Sequence, residues 1–223
     1  MNKEEFRYAL NVTSPTIFAY TPMGFVFGLL FTDAGYQWHL APLMSALVYA
    51  GAVQFVALSM MMNHSTLLAI ISATMFVALR NSFYGLALID RFKQAPVLKR
   101  WFMIFGLVDA SYAILTIVPK RNDDVAFCFY VTLFPYISWV GGTFLGAFLA
   151  DYIPDIRGMD FVLTSFFAIL VIEYYLMYKK IDALIVPIPA ALLAYWFVPQ
   201  YYLILAIILC VFYLYIKLRV THE

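Results

Sequence analysis

The chain has 223 residues, of which 65% are hydrophobic and only 12% are charged, and its formal net charge is +1. A mean hydropathy of +0.86 excludes an ordinary soluble domain. The near-zero net charge argues against a nucleic-acid partner, which a basic surface would attract. Cys128 and Cys210 lie far apart in apolar runs, so neither a disulfide nor a metal site is expected. The composition predicts an all-α, polytopic membrane protein.

Eight apolar runs follow a mixed charged and polar beginning. Residues 1–15, MNKEEFRYALNVTSP, lack the short apolar core of a cleavable signal and predict an amphipathic surface segment. The connections between runs are too short for a second domain, so one transmembrane domain over 1–223 is predicted. The runs are residues 16–31, 41–62, 67–89, 101–118, 126–150, 161–178, 183–198 and 201–216.

The positive charges conflict with a plain eight-crossing topology. If every run crossed, the basic N-terminus and the basic loop 91–100 would lie on opposite sides, against the positive-inside tendency. The conflict disappears if runs 16–31 and 101–118, which contain glycine and are among the shortest, enter and leave on the same side. The sequence therefore predicts about six crossings plus two short broken or re-entrant segments, with both termini in the cytoplasm.

The second run, LMSALVYAGAVQFVALSMMM, carries polar residues in its middle: Ser45, Tyr49 and Gln54. On an unbroken helix of about 100° per residue, Gln54 would point about 180° away from Ser45. Gly51 permits a break, and unwinding at Ala50 and Gly51 would bring freed carbonyls and the Gln54 amide to one small cavity, as in many transporters. The alternative is a straight packed helix in which Gln54 bonds to a neighbour.

Two ionisable residues lie deep inside apolar runs, where a charge is costly and needs a reason. Arg80 and Asp109 are both central in their runs, and Tyr112 shares the face of Asp109. A pair between Arg80 and Asp109 is the simplest expectation. It would either hold two segments together or also meet substrate or a proton. Glu173 lies closer to the end of its run and is expected near water or headgroups.

A stripe of small residues, Gly142, Gly146 and Ala150, repeats every four residues, which is typical of close helix packing within the chain or with a second subunit. The sequence contains no Walker-type phosphate loop, metal-ligand cluster or Ser/His/Asp set. We therefore expect neither an enzyme nor a protein that binds ATP, a metal or another cofactor.

Several stretches resemble the AzlC-type large subunit of bacterial branched-chain amino acid exporters. They are SPTIFAYTPMGFVFGLLF, YAGAVQF, LRNSFYGLAL, FGLVDASYAI and MDFVLTSFFAILV, and they cover most of the chain. The most specific are YAGAVQF and the element formed by Arg80, Tyr84 and Gly85. Two positions depart from the family pattern: Asn81 stands where His is common, and Ala110 where Glu is frequent, so neither position carries a proton here.

The resemblance implies a secondary, proton-coupled exporter of leucine, isoleucine, valine and related small hydrophobic amino acids. It also implies a small AzlD-type membrane subunit as partner and a location in the bacterial cell membrane. Export of another small metabolite, or a non-transporting assembly role, remains the alternative. The candidate substrate-binding or coupling residues are Tyr49, Gly51, Gln54, Arg80, Asn81, Tyr84, Asp109 and Tyr112.

Overall fold

The computed structural model describes residues 3–121, 123–153, 168, 186–197, 205–206, 209–210 and 212–213. Helices are the regular structure of this part of the chain, which confirms the all-α class. Their bounds are α1 Lys3–Asp33, α2 Leu40–Leu47, α3 Gly51–Met62, α4 Leu67–Phe92, α5 Val97–Phe105, α6 Asp109–Ile117, α7 Asp124–Leu149 with a 3₁₀ turn Ala150–Tyr152, and α8 Pro187–Phe197.

The chain forms two compact units, Met1–Met159 and Asp160–Glu223. The first contains α1 to α7, and the second contains α8, which falls within the predicted run 183–198. The predicted run 161–178 with Glu173, and most of the run 201–216, lie outside the described residues. The single-domain assignment stays a prediction.

Within the described residues, three helices are long and apolar enough to cross a membrane: α1, α4, and α7 with its 3₁₀ turn. Helices α5 and α6 form a pair bent by 115°. Helix α3 has 12 residues, a length of about 18 Å, which is too short to cross about 30 Å of hydrocarbon. Neither α2–α3 nor α5–α6 is therefore a single straight helix that crosses a membrane.

Helices α1 and α7 run parallel and pack with their backbones in contact. A Cβ added to any of four glycines would collide with main-chain atoms of the partner helix, so only glycine allows this approach. The small-residue stripe of α7 is therefore occupied by α1, which makes it an interface within the chain. The glycines are Gly24 and Gly28, which face the backbone of α7 at Trp139 and Thr143, and Gly142 and Gly146, which face α1 at Thr21 and Phe25.

Helix α1 differs from the sequence-based expectation. The predicted surface segment 1–15 and the predicted broken run 16–31 form one continuous helix. At Pro15, which has no N–H for the carbonyl of Asn11, the Ser14 hydroxyl donates to that oxygen at 2.8 Å. The glycines of this run serve close packing on α7 instead of a bend. The prediction of a re-entrant first run was wrong, and the amphipathic surface segment 1–15 stays a prediction.

One end of the bundle is defined by two ion pairs, and we call it the basal end. Arg121 pairs with the buried Glu5 carboxylate at the start of α1. Arg91, at the end of α4, pairs with Asp124 at the start of α7 at 2.6 Å and donates to the carbonyl of Val118 after α6 at 2.9 Å. The start of α1 and of α7, and the ends of α4 and α6, therefore lie together.

The opposite, distal end follows from the helix directions. Because α1 leaves the basal end and α4 returns to it, the α2–α3 pair must begin and end at the distal end. Trp38, just before α2, indeed packs on Phe148 near the end of α7, with ring centroids 5.7 Å apart. The α5–α6 pair begins and ends at the basal end, where Lys99 lies 5.6 Å from the Phe129 ring of α7. Both pairs are thus hairpins, and α2–α3, instead of run 16–31, returns to the end at which it begins.

The core fills each half of the bundle differently. The basal half holds a buried cluster from five helices that includes Ala9, Phe92, Met103, Leu115 and Phe127. The distal half is aromatic. Its rings are Phe27, Phe55 and Trp139, of which Phe27 and Phe55 meet edge to face with centroids 5.3 Å apart. Helices α5 and α6 contribute Met103 and Leu115 to the basal cluster, and α3 contributes Phe55 to the distal rings.

Candidate functional site

The first helix break lies at residues 48–50, between α2 and α3. Val48 (φ −116°, ψ 54°) and Ala50 (φ −155°, ψ 93°) leave the helical conformation. Gly51 begins α3, and a Cβ there would lie 2.7 Å from the ring of Trp139. The straight-helix alternative is excluded, and the unwinding begins two residues before the predicted position.

A hydrogen-bond chain fastens this break to α7. The Gln54 amide donates to Ser45 Oγ at 3.1 Å, and Ser45 Oγ lies 2.9 Å from Thr143 Oγ1. The indole of Trp139 donates to Gln54 Oε1 at 2.8 Å. Gln54 is 0% exposed. The break brings Gln54 to Ser45, which an unbroken helix would place on opposite faces.

Sequence reasoning missed the two α7 residues that take part in these hydrogen bonds. Trp139 and Thr143 were not candidates, although they are polar groups one turn apart in an apolar helix. The signal existed but was read only as close packing, because Gly142 and Gly146 share the same stretch. Gln54 was correctly expected next to a break, and its amide holds that break to α7.

The second break lies at residues 106–108, between α5 and α6, where the run 101–118 was predicted to turn at Gly106. The backbone N–H of Val108 donates to Ser111 Oγ at 2.9 Å, which caps the start of α6. A Cβ at Gly106 would lie 3.2 Å from the Thr132 Cβ of α7. The predicted break is confirmed, and α7 supports it as it supports the first break.

The two breaks meet at Tyr136 of α7. The ring of Tyr49, from the first break, lies 5.0 Å from that of Tyr136 and 6.4 Å from that of Phe105, at the end of α5. The Tyr136 hydroxyl donates to the Ala46 carbonyl at the end of α2, at 3.2 Å. We call the two breaks with Tyr49, Phe105 and Tyr136 the junction. Tyr136 stands about 18 Å from the start of α7, near the middle of its 26 residues.

Asp109 is the first residue of α6 and thus lies at the second break. The Tyr84 hydroxyl of α4 donates to its Oδ1 at 2.6 Å. The Tyr84 ring stacks on Tyr112 with centroids 4.4 Å apart. Arg80 lies one turn before Tyr84 in α4, but its side chain is outside the described part of the structure, so the Arg80 to Asp109 pair stays a prediction.

An apolar groove runs beside the junction along α5. It has a volume of about 650 Å³ and extends from Lys99 to Phe105, with Phe102 and Phe129 in its wall. The groove is open to the surface, since Leu98 and Trp101 in its wall are 84% and 68% exposed. Within the described residues, the structure shows no group of three or more His, Cys, Asp or Glu side chains that would hold a metal ion.

Fold and site define a class: a polytopic helical membrane protein in which two short hairpins from opposite ends meet halfway along a spanning helix. The model of the AzlC protein family matches residues 15–153. The chain belongs to this family.

The relatives agree with this class. The chain is 31% identical to a membrane protein of Helicobacter pylori (strain J99), covering 76% of this chain and 75% of the relative. It is 29% identical to the branched-chain amino acid transport protein AzlC of Bacillus subtilis, covering 78% and 70%. It is 32% identical to the inner membrane protein YgaZ of Escherichia coli, covering 60% and 56%. No solved structure matches the chain significantly. The family and the Bacillus relative support a role in membrane transport.

Proposed function

We propose that the protein is the large subunit of a two-component secondary exporter of branched-chain and related small hydrophobic amino acids. The observation that carries the proposal is the meeting of two helix breaks at the middle of α7. Broken helices that face each other inside a membrane offer helix N-termini to anions and unwound carbonyls to cations, as transporter sites do. Irregular backbone at this depth is tolerated only where it is buried in protein or lines a cavity.

The junction suits a small zwitterion with an apolar side chain. The carboxylate needs donors, for which Arg80 or a helix N-terminus is available. The ammonium group needs an acceptor, for which Asp109 or the carbonyls near Gly51 are available. The apolar side chain would meet the aromatic rings of Phe105 and Tyr136 at the junction. The name of the Bacillus subtilis relative supports branched-chain amino acids as the substrate class.

The charges suggest which side each hairpin opens to. The basal end carries Lys93, Lys99, Lys120 and the ion-paired Arg91 and Arg121. By the positive-inside tendency this end faces the cytoplasm of a bacterial cell membrane, with the N-terminus there too. The α5–α6 hairpin then enters from the cytoplasm and α2–α3 from outside. With the remaining runs crossing, the total is six crossings and the C-terminus is cytoplasmic.

The candidate residues divide into two groups under this proposal. Tyr49, Gly51 and Gln54 form and hold the first break. Tyr84 and Tyr112 lie beside Asp109 at the second break, and Asn81 follows Arg80 in α4. We propose that the pair of Arg80 and Asp109 couples export to proton entry. A small AzlD-type membrane subunit completes the permease.

An efflux assay tests the proposal. Bacterial cells lacking their own exporters are loaded with leucine-containing dipeptides, which peptidases convert to internal leucine. We expect external leucine to rise only when this chain and its small subunit are both expressed, and a protonophore to abolish export against a gradient. Export of another metabolite but not leucine would support the same scaffold with a different substrate. No export of any internal metabolite would indicate an assembly subunit.

A further inference from the structure

Two helix N-termini lie at the junction, and they differ in charge. Helix α3 begins at Gly51 with no acidic residue in its first turn, and the Ala50 side chain caps none of its N–H groups. Helix α6 begins with Asp109, and Ser111 caps its first turn. Because a helix N-terminus carries about half a positive charge, α6 neutralises its own N-terminus and α3 does not. The α6 tip therefore has a carboxylate of its own, whereas the α3 tip has none.

A second observation points to a ligand at the α3 tip. Tyr49 precedes α3 by one residue, and its ring is aimed into the junction between Tyr136 and Phe105. The side chain is 5% exposed, and its hydroxyl has no hydrogen-bond partner among the described residues. Buried hydroxyls are nearly always paired, so an unpaired one requires an explanation.

The neighbouring tyrosine shows that the junction does not prevent such pairing. The Tyr136 hydroxyl is bonded to the Ala46 carbonyl at 3.2 Å, although its ring lies only 5.0 Å from that of Tyr49. Among the described residues, the protein thus satisfies one hydroxyl at the junction and supplies no partner for the other.

We propose that an amino acid substrate binds the junction in one orientation. Its carboxylate lies at the N-terminus of α3 and accepts a hydrogen bond from the Tyr49 hydroxyl, and its ammonium group faces Asp109 at the N-terminus of α6. This assignment rests on the proposed transport function. It chooses between the donors left open above, since it gives the carboxylate to α3 and Tyr49 instead of to Arg80. The carboxylate then meets a helix N-terminus that has no acidic residue of its own, and the ammonium group meets a carboxylate.

The test uses two leucine analogues that each lack one charge. Leucinamide has no carboxylate, and 4-methylpentanoate has no ammonium group. Each competes with radiolabelled leucine for the purified permease in proteoliposomes. For Tyr49→Phe we expect the affinities for leucine and 4-methylpentanoate to fall at least about tenfold, as for a lost hydrogen bond to a charged group. The affinity for leucinamide should stay within about twofold of the wild type, because that analogue makes no such bond.

Tyr84→Phe is the matched control, because it removes a hydroxyl bonded to Asp109. We expect the reverse pattern there: weaker leucine and leucinamide, with 4-methylpentanoate unchanged. Without ligand, Tyr49→Phe should unfold at or above the wild-type temperature, since it removes an unpaired group.

Three results would overturn the orientation while leaving transport intact. One is an equal loss for leucinamide and leucine in Tyr49→Phe, and another is no loss for any ligand, which would favour Arg80 as the carboxylate donor. The third is a Tyr49→Phe protein that does not fold, which would show that the hydroxyl is bonded within the protein. If the wild-type permease binds neither leucine nor its analogues, the proposed function itself fails.

Discussion

The hairpins α2–α3 and α5–α6 bring a break to the same point of α7 by different chemistry. The tip of α2–α3 is held by neutral hydrogen bonds from Ser45 and Gln54 to the α7 side chains. The tip of α5–α6 carries the carboxylate of Asp109, which accepts from Tyr84 of α4. One tip is therefore fastened to α7 without charge, and the other presents a charge that α4 helps to hold.

At the bases of the hairpins the chemistry is reversed: charged groups hold the base of α5–α6, and aromatic rings hold the base of α2–α3. The basal end of α5–α6 is fixed by Arg91, which joins α4 to the end of α6 and the start of α7. The distal end of α2–α3 is packed by rings, with Trp38 against Phe144 and Phe148. Polar side chains thus fasten α2–α3 to α7 at its tip and α5–α6 to α7 at its base. Substitutions can therefore release one hairpin at a time.

The largest loss of stability is expected from a substitution that separates α1 from α7, the helix against which both hairpins pack. Gly146→Leu would drive a side chain into the main chain of α1 at Phe25. Because the α1 and α7 backbones would have to move apart to make room for this side chain, we expect no stably folded protein. The recovery of monodisperse protein in detergent, measured by size-exclusion chromatography, should fall to background.

Gly141→Leu provides the matched control on the same helix. A Cβ at Gly141 meets nothing within 4 Å, so this variant should be recovered like the wild type. Normal recovery of Gly146→Leu would mean that α1 and α7 are not in backbone contact in the folded protein.

The next largest effect concerns the base of α5–α6. The Arg91 and Asp124 side chains are only 8% and 14% exposed, and removal of one partner of a buried pair typically costs about 3–5 kcal/mol. Arg91→Gln should therefore lower the thermal unfolding temperature strongly.

Lys93→Gln removes an ion pair from the same end, but Lys93 and Asp90 are 63% and 78% exposed. Such pairs contribute about 0–1 kcal/mol, so little change is expected for this control. Equal shifts in the two variants would show that Arg91 does not anchor the hairpin.

The sequence predicted the two breaks because their causes are local. Gly51 stands among polar residues in an apolar run, and the run 101–118 is short and contains a glycine. From its charge balance the sequence also indicated two re-entrant segments, but it placed one of them in the run 16–31. It misassigned Gly24 and Gly28 because a glycine that permits a bend and one that permits close packing look alike. Which role applies depends on α7, far away in the chain.

The polar chain of the first break was missed for the same reason. Ser45 and Thr143 are 98 residues apart in the sequence. Groups that meet across a helical bundle are often this far apart along the chain. Local spacing indicated that Gln54 needed a partner, but only the packing of α7 supplies Trp139. The Arg80 to Asp109 pair would likewise join side chains from two different helices, and it stays a prediction.

Apart from the controls, the smallest loss of stability is expected from a substitution at the tip of α2–α3. Gln54→Leu removes the acceptor of the Trp139 indole and the donor to Ser45. An unsatisfied buried polar group costs about 1–3 kcal/mol, so the protein should fold and insert with reduced stability. Export should nevertheless be lost, because the first break is no longer held against α7.

A double-mutant cycle with Trp139→Phe separates the lost hydrogen bond from repacking. Trp139→Phe deletes the indole N–H that Gln54→Leu strands, so the combined loss of stability should be smaller than the sum by about 1 kcal/mol or more. Additive losses would show that the 2.8 Å contact between Trp139 and Gln54 contributes no stability. Wild-type export by Gln54→Leu would show that Gln54 is a packing residue, and that the α2–α3 tip needs no polar anchor to do its part in transport.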